Sequence, residues 1–334
     1  MSGHRPRAAL VMEEASRDAV YPPALIARID AVADLRRPFL TAEEFRRDAR
    51  AAAETEILLT GWGAPVLDAA ALGRAPRLRA VFHAAGTVKG FVHDAVFDRG
   101  IAVVNAAAAN AEPVAEFAVA QILLAARGFW HAQREYRAQH LATTSSFARG
   151  TRDSTVGLVA LGEIGRRVAE RLRAHPVHVL VHDPGVDDAR LRALGAEPAG
   201  LDRLFRESQV VSVHAPLLAS TRGLVTETLL RSLPRGAVLV NTARGAVVDE
   251  DALIDVLTDR TDLTALLDVT RHEPIRPGSA LWGLPNVELS PHIAGATGAD
   301  RESLGELVVG ELERYLGGAE LRHRIEPTTL DRSA

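Results

Sequence analysis

The sequence predicts an α/β protein of two domains, each built on a parallel sheet flanked by helices. Short apolar runs alternate with helix-length amphipathic segments from one end of the chain to the other, which is the βαβ pattern. The chain has 334 residues, more than one hydrophobic core usually serves, and 47% of them are hydrophobic. We therefore expect two cores of ordinary size.

The first third of the chain contains four strand candidates. They are the runs "AALVM", "EILLTG", "LRAVFHAAG" and "IAVVN". A long helical candidate, "EPVAEFAVAQILLAARGFWHAQREYRAQ", follows them, with Asn110 as its expected N-cap and Pro113 in its first turn. This helix separates the first set of strands from a second set.

The second set has six strand candidates, a number that matches a dinucleotide-binding sheet. They are "TVGLVAL", "VHVLVHD", "QVVSVHAP", "AVLVNTA", "LTALLDV" and "VELSPH". A last amphipathic helix, roughly residues 298–316, has no further strand to precede, so we expect it to pack on the first domain. The sequence thus predicts a discontinuous substrate domain (1–107 plus 298–334) and a cofactor domain (108–297).

Composition excludes several classes of function. A formal net charge of −4 gives no reason to expect nucleic acid or an anionic membrane surface as a partner. Without cysteine the chain has no disulfides, cysteine–zinc sites or thiol catalysis, and we expect no bound metal. No signal-peptide pattern or membrane-span pattern is present. We expect a soluble, cytoplasmic protein in which histidine carries any acid–base chemistry.

The segment "VGLVALGEIGRRVAERL" reads as a strand, a tight turn and a helix. Ala160, Gly162 and Gly165 occupy the three positions of a G-x-G-x-x-G fingerprint, with alanine in the first. Gly162 lets the backbone approach a pyrophosphate at the helix N-terminus, and Gly165 lets helix and strand pack closely. The helix buries a stripe formed by Ile164, Val168 and Leu172. This pattern predicts a Rossmann-like domain.

Asp183 ends the next strand, "VHVLVHDP". A carboxylate at this position accepts hydrogen bonds from the adenosine ribose hydroxyls and repels a 2′-phosphate. No arginine follows before Arg190, and Asp187 and Asp188 add negative charge. The sequence therefore favours NAD over NADP.

Three later segments place unlike polar residues at strand ends: "VNTARGAVVDEDAL", "LLDVTRHEP" and "NVELSPHIAGAT". With them the chain resembles the D-2-hydroxyacid dehydrogenase family from about residue 55 to residue 316, where "RGIAVVN", "SVHAPLLASTRGL", "NTARG" and "SPHIAG" occur in the family's order. The resemblance implies two Rossmann- or flavodoxin-like domains with an active-site cleft between them. It also implies a homodimer built largely on the helix after Asn110.

The resemblance assigns three catalytic residues: Arg244, Glu273 and His292. Hydride transfer to the C2 carbon of a 2-oxo acid leaves charge on the C2 oxygen, so a proton donor has to stand beside it. His292 takes that role, and Glu273 orients the imidazole and favours its protonated form. Arg244 holds the substrate carboxylate and carbonyl through charge-assisted hydrogen bonds.

The same resemblance implies the remaining contacts. Cofactor contacts are expected at Ala160, Gly162, Glu163, Ile164, Asp183, His214, Ala215, Pro216, Thr221, Thr242, Ala243, Asp268, His292 and Gly295. Substrate contacts are expected at Trp62, Ala85, Gly86, Thr87, Lys89 and Arg244, where the backbone N–H groups of residues 85–87 hold the substrate carboxylate. Trp62 is interpreted either as an apolar wall of the site or as a core side chain.

Lys89 is the single lysine of the chain and lies in that substrate loop. One interpretation leaves its ammonium in water. The other has Lys89, with His83, contact a second anionic group of the substrate, such as a distal carboxylate or phosphonate.

Residue differences from relatives narrow the range of expected substrates. Glu273 stands where formate dehydrogenases, which share alanine at the first fingerprint position, have glutamine, so formate oxidation is disfavoured. Gly61 and Trp62 replace an arginine–serine pair of phosphoglycerate dehydrogenases and disfavour that substrate. Glyoxylate or hydroxypyruvate reduction is the alternative enzymatic function. An NAD-sensing corepressor-like scaffold is the alternative from another class.

Overall fold

The computed structural model describes residues 5–140, 147, 150–152 and 154–330. The chain divides into unit 1, Met1–Asn110 with Ala296–Ala334, and unit 2, Ala111–Gly295. The sequence places the corresponding junctions at 107/108 and 297/298. The outermost residues of the predicted first domain, 1–4 and 331–334, lie outside the described residues.

Unit 1 is built on a parallel five-stranded sheet. Its strands are β1 (Arg7–Val11), β2 (Asp34–Leu35), β3 (Ile57–Thr60), β4 (Ala80–His83) and β5 (Ala102–Asn105). Their order across the sheet is β2-β1-β3-β4-β5, and every pairing is parallel. Strands β3, β4 and β5 are buried along their whole length, as expected for a sheet covered by helices on both faces.

Unit 2 is built on a parallel seven-stranded sheet. Its strands are β6 (Thr155–Val159), β7 (His178–His182), β8 (Glu197–Pro198), β9 (Val210–Val213), β10 (Val238–Asn241), β11 (Thr264–Leu267) and β12 (Val287–Leu289). Their order is β12-β11-β10-β9-β6-β7-β8. The chain runs outward from β6 in one direction to β7 and β8 and then returns to β9, so the topological switch point lies between β6 and β9. Ligands of open parallel sheets bind at the carboxyl ends of the strands beside such a point.

The helices connect these strands. They are α1 (Glu14–Val20), α2 (Pro23–Val32), α3 (Ala42–Arg47), α4 (Ala49–Glu54), α5 (Ala69–Arg74), α6 (Asp94–Asp98), α7 (Ala107–Ala126), α8 (Phe129–Gln139), α9 (Glu163–Leu172), α10 (Asp188–Ala193), α11 (Leu201–Glu207), α12 (Glu227–Ser232), α13 (Glu250–Asp259), α14 (Arg301–Leu316) and α15 (Pro327–Leu330). Short 3-10 turns cover Gly245–Val247, Ala280–Trp282 and Gly298–Asp300. The predicted helix near residues 298–316 thus consists of the last of these turns followed by α14.

The last helix, α14, belongs to the core of unit 1. Leu304, Val308 and Leu312 are fully buried in one hydrophobic cluster with residues of β1, β3 and β4. The helix packs so closely that a Cβ on Gly305 would lie 1.8 Å from the Val20 carbonyl oxygen. This contact requires glycine, because any side chain there would collide with backbone.

Three expectations about the long helix are wrong. Helix α7 begins at Ala107, so Asn110 lies inside it and is not its N-cap, and Pro113 lies beyond its first turn. The Asn110 side chain instead accepts a hydrogen bond of 2.9 Å from the Ala296 backbone N–H of the same unit. The expected single helix is also two helices, because Gly128 takes a left-handed φ of 70° between α7 and α8.

Within the described residues, no helix has the length and apolar character needed to cross a lipid bilayer.

Candidate active site

The carboxyl ends of the unit 2 strands bring the expected cofactor residues to one edge of the sheet. Ala160 follows β6, Asp183 follows β7, His214 follows β9, Thr242 follows β10 and Asp268 follows β11. Strand pairing places Val213 of β9 between Val159 of β6 and Asn241 of β10 in register, so the residues that follow these strands are neighbours. This edge includes the switch point between β6 and β9.

The fingerprint turn has the geometry that its glycines suggest. Ala160 takes a left-handed φ of 73°, a conformation that glycine adopts more easily. A Cβ on Gly165 would lie 2.4 Å from the Ala160 carbonyl oxygen, so the turn and α9 pack too closely for a side chain. A Cβ on Gly162, the N-cap of α9, would have no atom within 4 Å. The backbone at Gly162 is therefore open to a ligand phosphate at the start of the helix.

Asp183 is held against the fingerprint turn. Its carboxylate accepts the Leu161 N–H at 2.6 Å and the Gly185 N–H at 2.8 Å. Each oxygen retains a lone pair, so the carboxylate is oriented and still able to accept ribose hydroxyls. The side chains of two other expected cofactor contacts stabilise α9. Glu163 forms an ion pair with Arg167 at 2.5 Å, and Ile164 packs on the core.

Two buried polar side chains at this edge have no partner among the described residues. Neither ring nitrogen of His214 makes a hydrogen bond, and the Thr242 hydroxyl makes none. Burial lowers the pKa of His214 to about 4, so the ring is neutral at pH 7. Buried polar groups usually have partners, and a polar ligand at this edge would supply them. A dinucleotide fits this arrangement, with its pyrophosphate at Gly162 and polar groups near His214 and Thr242.

Other expected cofactor residues line the same loops. Ala215 and Ala243 are buried next to His214 and Thr242, while Pro216 and Gly295 are half-buried. Thr221 uses its hydroxyl within its own loop, where it donates to the Pro216 carbonyl at 2.5 Å and accepts the Leu218 N–H at 2.8 Å. Its side chain thus shapes the loop after β9.

His292 and Glu273 are brought together. His292 Nδ1 lies 2.6 Å from Glu273 Oε2, and the second oxygen of Glu273 accepts the Thr270 N–H at 3.3 Å. His292 has a left-handed φ of 53°, which is uncommon for a residue other than glycine and is concentrated at functional sites. Half of its side chain is exposed, so the Nε2 edge is accessible to a substrate.

Asp268 holds the loop that carries His292. Its buried carboxylate accepts three hydrogen bonds: from the Ser290 hydroxyl at 2.5 Å, the Ile293 N–H at 2.9 Å and the Ala294 N–H at 2.9 Å. Its carbonyl accepts the His292 N–H at 3.0 Å. Asp268 is thus a positioning residue for His292, a role that sequence reasoning missed, and its expected cofactor contact stays a prediction.

Arg244 is a half-buried cation in the turn after β10. Burial lowers its pKa, and the negative charge of Glu273 opposes that shift. No carboxylate within the described ranges forms an ion pair with it, and its guanidinium donates to the neighbouring Ala243 carbonyl at 2.6 Å. A Cβ on Gly245 would lie 1.9 Å from the Thr270 carbonyl carbon, so this turn packs directly on the loop of Glu273. A partly desolvated arginine without a carboxylate partner is suited to bind an anion.

Unit 1 presents the expected substrate loop at the carboxyl end of β4. The backbone N–H groups of Ala85, Gly86 and Thr87 donate to no acceptor in the part of the chain that the structure describes. The loop is fixed through its carbonyls, since Ala85 O accepts the Ala106 N–H at 3.0 Å and Gly86 O accepts the Asn105 side chain at 2.6 Å. Consecutive unpaired backbone N–H groups form an anion-binding concavity.

The expected role of His83 is not supported. His83 is buried, its Nδ1 lies 2.8 Å from the Thr60 hydroxyl, and burial lowers its pKa to about 4 against the opposing effect of the Thr87 backbone. A neutral, buried ring brings no positive charge to a substrate. Lys89 is exposed, and Thr87 Oγ1 accepts its backbone N–H at 3.4 Å.

Trp62 is neither a fully buried core side chain nor an exposed one. It is half-buried against the core of unit 1, and the guanidinium of Arg301 lies 5.2 Å from its ring centroid. Arg301 begins α14 and was not among the residues expected from the sequence. No sequence pattern identifies it, because its proximity to Trp62 arises from tertiary structure.

Comparison with known proteins identifies the chain. Residues 119–294, more than half of the sequence, match the model of the D-isomer specific 2-hydroxyacid dehydrogenase, NAD binding domain. The chain belongs to the D-isomer-specific 2-hydroxyacid dehydrogenase family. NAD is the cofactor of the matched domain, and the open turn at Gly162 and the unpartnered groups of His214 and Thr242 fit it.

Relatives within this family carry different names. The chain is 37% identical to a D-3-phosphoglycerate dehydrogenase of Mycobacterium tuberculosis over 257 residues, which cover 76% of this chain and 48% of the relative. It thus spans about half the length of that relative. It is 34% identical to an (S)-sulfolactate dehydrogenase of Chromohalobacter salexigens over 298 residues, which cover 86% of this chain and 95% of the relative.

A solved structure is similar to the present chain over both of its units. The TT0316 protein of Thermus thermophilus is 28% identical and superimposes with a TM-score of 0.77, covering 96% of this chain and 100% of the other. The expected α/β fold with parallel sheets flanked by helices is therefore confirmed.

Proposed function

We propose that this protein is an NAD-dependent dehydrogenase that interconverts a 2-oxo acid and a 2-hydroxy acid. The observation that carries the proposal is the His292–Glu273 hydrogen bond of 2.6 Å, in a loop held by Asp268. Nicotinamide, when bound, supplies or accepts the hydride. The chain's own residues have to bind the acid, orient it and move one proton at the C2 oxygen.

The proton is assigned to His292 Nε2. Because Nδ1 faces the Glu273 carboxylate, the proton shared by that pair stays on the Nδ1 side, and Nε2 is the nitrogen that meets the substrate. In reduction the imidazolium gives its Nε2 proton to the C2 oxygen. In oxidation neutral Nε2 takes the hydroxyl proton, and Glu273 stabilises the resulting positive charge.

The acid group is assigned to two sets of donors. Arg244 binds the carboxylate and the C2 oxygen, since its guanidinium carries a fork of N–H donors and lacks a carboxylate partner within the described residues. The unpaired N–H groups of Ala85, Gly86 and Thr87 contact the carboxylate through backbone alone. D stereochemistry follows the family description.

The substrate class is proposed to carry a second anionic group. Lys89, the single lysine of the chain, is exposed beside the substrate loop. A relative that matches nearly along its whole length is named a sulfolactate dehydrogenase, and sulfolactate bears a sulfonate besides its carboxylate. Gly61 and Trp62 disfavour phosphoglycerate, since they supply neither the arginine nor the serine that phosphoglycerate dehydrogenases have in this segment.

An absorbance assay of NADH consumption with a panel of 2-oxo acids tests the function. Pyruvate, glyoxylate, hydroxypyruvate and 3-sulfopyruvate are compared, each with NADH and with NADPH. We expect turnover, a preference for NADH because of Asp183, and a higher kcat/KM for 3-sulfopyruvate than for pyruvate. Preference for glyoxylate or hydroxypyruvate would instead support a reductase of small 2-oxo acids. Absence of turnover with all four contradicts the proposal and favours a scaffold that binds NAD.

A homodimer that buries one face of α8 is proposed as the assembly. Phe129 and Tyr136, exposed at 40% and 59%, are seven residues apart on α8 and so share a face. Light scattering should give twice the chain mass of 35.8 kDa. A monomer at micromolar concentration contradicts the dimer.

A cytoplasmic location is proposed as well. The absence of cysteine supports it, since neither disulfides nor thiolate metal sites contribute to the stability of this chain. Fractionation of cells that produce the tagged protein should recover it with cytoplasmic markers, and recovery elsewhere contradicts the proposal.

A further inference from the structure

Arg301 has guanidinium N–H donors that the contacts within unit 1 do not all satisfy. Its side chain is half-buried, and its Nε is buried without a hydrogen-bond partner. Its donor contact is to a neutral group, the Ser16 hydroxyl, which accepts from Nη1 at 3.3 Å. Among the described residues no carboxylate forms an ion pair with it.

The helix position of Arg301 is unfavourable for a cation. Arg301 is the first residue of α14, at the positive end of the helix dipole, where acidic residues are favoured and cations are not. Glu13 is held nearby through Ser16, whose hydroxyl donates to Glu13 Oε1 at 2.5 Å, but Glu13 is exposed and makes no direct bond to the guanidinium. By contrast Arg314, in the last turn of the same helix, pairs with Glu311 at 3.6 Å and donates to the Glu320 carbonyl.

The partners of Arg301 lie at the end of the unit 1 sheet that carries the expected substrate loop. Ser16 follows β1 and Trp62 follows β3, so both lie at the carboxyl end of the unit 1 sheet. Strand β3 is the direct neighbour of β4, whose following loop carries the unpaired N–H groups of Ala85, Gly86 and Thr87. The ring of Trp62 supports the guanidinium from one side at 5.2 Å and limits the directions it can take.

We propose that Arg301, supported by Trp62 and Ser16, is a specificity-determining residue that binds the second anionic group of the substrate, a sulfonate or carboxylate at C3. This inference rests on the proposed function and names the residue that selects its substrate class. A planar fork of donors suits the several oxygens of a sulfonate. Trp62 thereby acts as a wall that orients Arg301.

Paired substrates that differ in the C3 group test the inference. In Arg301→Met, kcat/KM for 3-sulfopyruvate should fall roughly 10- to 100-fold, the effect of one lost charge-assisted contact, while kcat/KM for pyruvate changes by less than about threefold. Arg301→Lys should retain part of the preference, because the charge remains without the fork of donors. Equal losses on both substrates, or no loss on either, overturn the proposal.

Arg314→Met is the matched control, since it makes the same substitution at the opposite end of the same helix. It should leave the ratio of the two kcat/KM values unchanged. The Tm of each variant without ligand checks that the fold is intact.

A binding measurement separates this inference from the proposed function. With NAD⁺ present no hydride is transferred to a 2-oxo acid, so the increase in Tm caused by 3-sulfopyruvate reports binding alone. We expect the increase in the wild type and in Arg314→Met, and its loss in Arg301→Met. If the wild type reduces no 2-oxo acid but this pattern holds, the function fails and the inference stands. An equal increase in wild type and Arg301→Met, or none in the wild type, overturns the inference.

Discussion

At the residue scale, the proposed proton transfer depends on which nitrogen of His292 faces the substrate. The bond to Glu273 fixes one side of the ring, and the Asp268 contacts fix the backbone that carries it. The left-handed φ of His292 is stabilised by these contacts, since the conformation is costly by itself.

Replacing His292 with alanine should lower kcat by roughly 10²- to 10⁴-fold, the usual effect of losing a positioned proton donor. The Kd for NADH should change much less than kcat, because His292 is one of many expected cofactor contacts and the fingerprint turn is separate from its ring. Stopped-flow absorbance and NADH fluorescence titration measure the two quantities. His178→Ala is the control, since His178 opens β7 at the amino end of the same sheet. A variant with near-normal kcat would refute the assignment of the proton to His292.

At the element scale, the connection between β6 and α9 has two glycines with different functions. Gly165 is required by packing, because a Cβ would collide with the Ala160 carbonyl, whereas Gly162 is open to its surroundings. The same motif thus contains a packing requirement at Gly165 and, as proposed, a binding requirement at Gly162.

Alanine at each glycine should separate these requirements. Gly165→Ala should lower the free energy of unfolding by roughly 1–3 kcal/mol, since backbone has to move to relieve the contact. Gly162→Ala should cost only about 0.5 kcal/mol as an altered N-cap, yet weaken NAD binding by about tenfold or more, because its Cβ occupies the approach to the pyrophosphate. Denaturant unfolding and NADH titration measure both effects. Equal effects of the two substitutions on stability would contradict the division.

The elements also show what the sequence can predict. All ten expected strands are present, because each is a short run rich in apolar residues, and most of these residues are buried in a parallel sheet. The two-residue strands β2 and β8 were not expected, since so short a segment has no periodicity. Asn110 shows a different limit, because its pairing with Ala296 joins residues 186 positions apart and no local pattern indicates it.

The residues of the candidate site also fall into those that the sequence predicted and those that it did not. Motif order identified His292 and Glu273, which the structure brings into contact. The anchoring by Asp268 and the stacking of Arg301 on Trp62 depend on how loops from different strands meet. His83 was misjudged because its residue type suggested a charge that burial removes.

At the scale of the whole molecule, buried histidines make stability depend on pH, and they include His131, whose pKa is lowered by burial. Burial lowers the pKa of both His83 and His214 to about 4, against an ordinary value of 6.5. Below pH 6.5 the unfolded chain therefore binds protons that the folded chain does not accept. Stability should be lost as the pH falls from about 6.5 towards about 4, with His83 and His214 each contributing on the order of 3 kcal/mol.

His83→Asn should reduce this acid sensitivity. Asparagine can replace Nδ1 as the partner of the Thr60 hydroxyl and does not titrate. The free energy of unfolding, measured by denaturant between about pH 7 and pH 4.5, should fall less steeply in the variant than in the wild type. His93→Asn, at an exposed residue before α6, is the control. An identical slope in wild type and His83→Asn would show that His83 is not one of the groups responsible.

The hydrogen bond between Asn110 and Ala296 has a consequence for how such chains evolve. Removal of residues 111–295 would leave two ends that this 2.9 Å bond already holds together, so unit 1 could be closed by a very short linker. Unit 2 is in this sense an insertion at a single point of unit 1. Recombination at these two positions would exchange the whole cofactor-binding unit between family members in one piece, while unit 1, with Lys89 and Arg301 as the residues proposed to select the substrate, would be inherited separately.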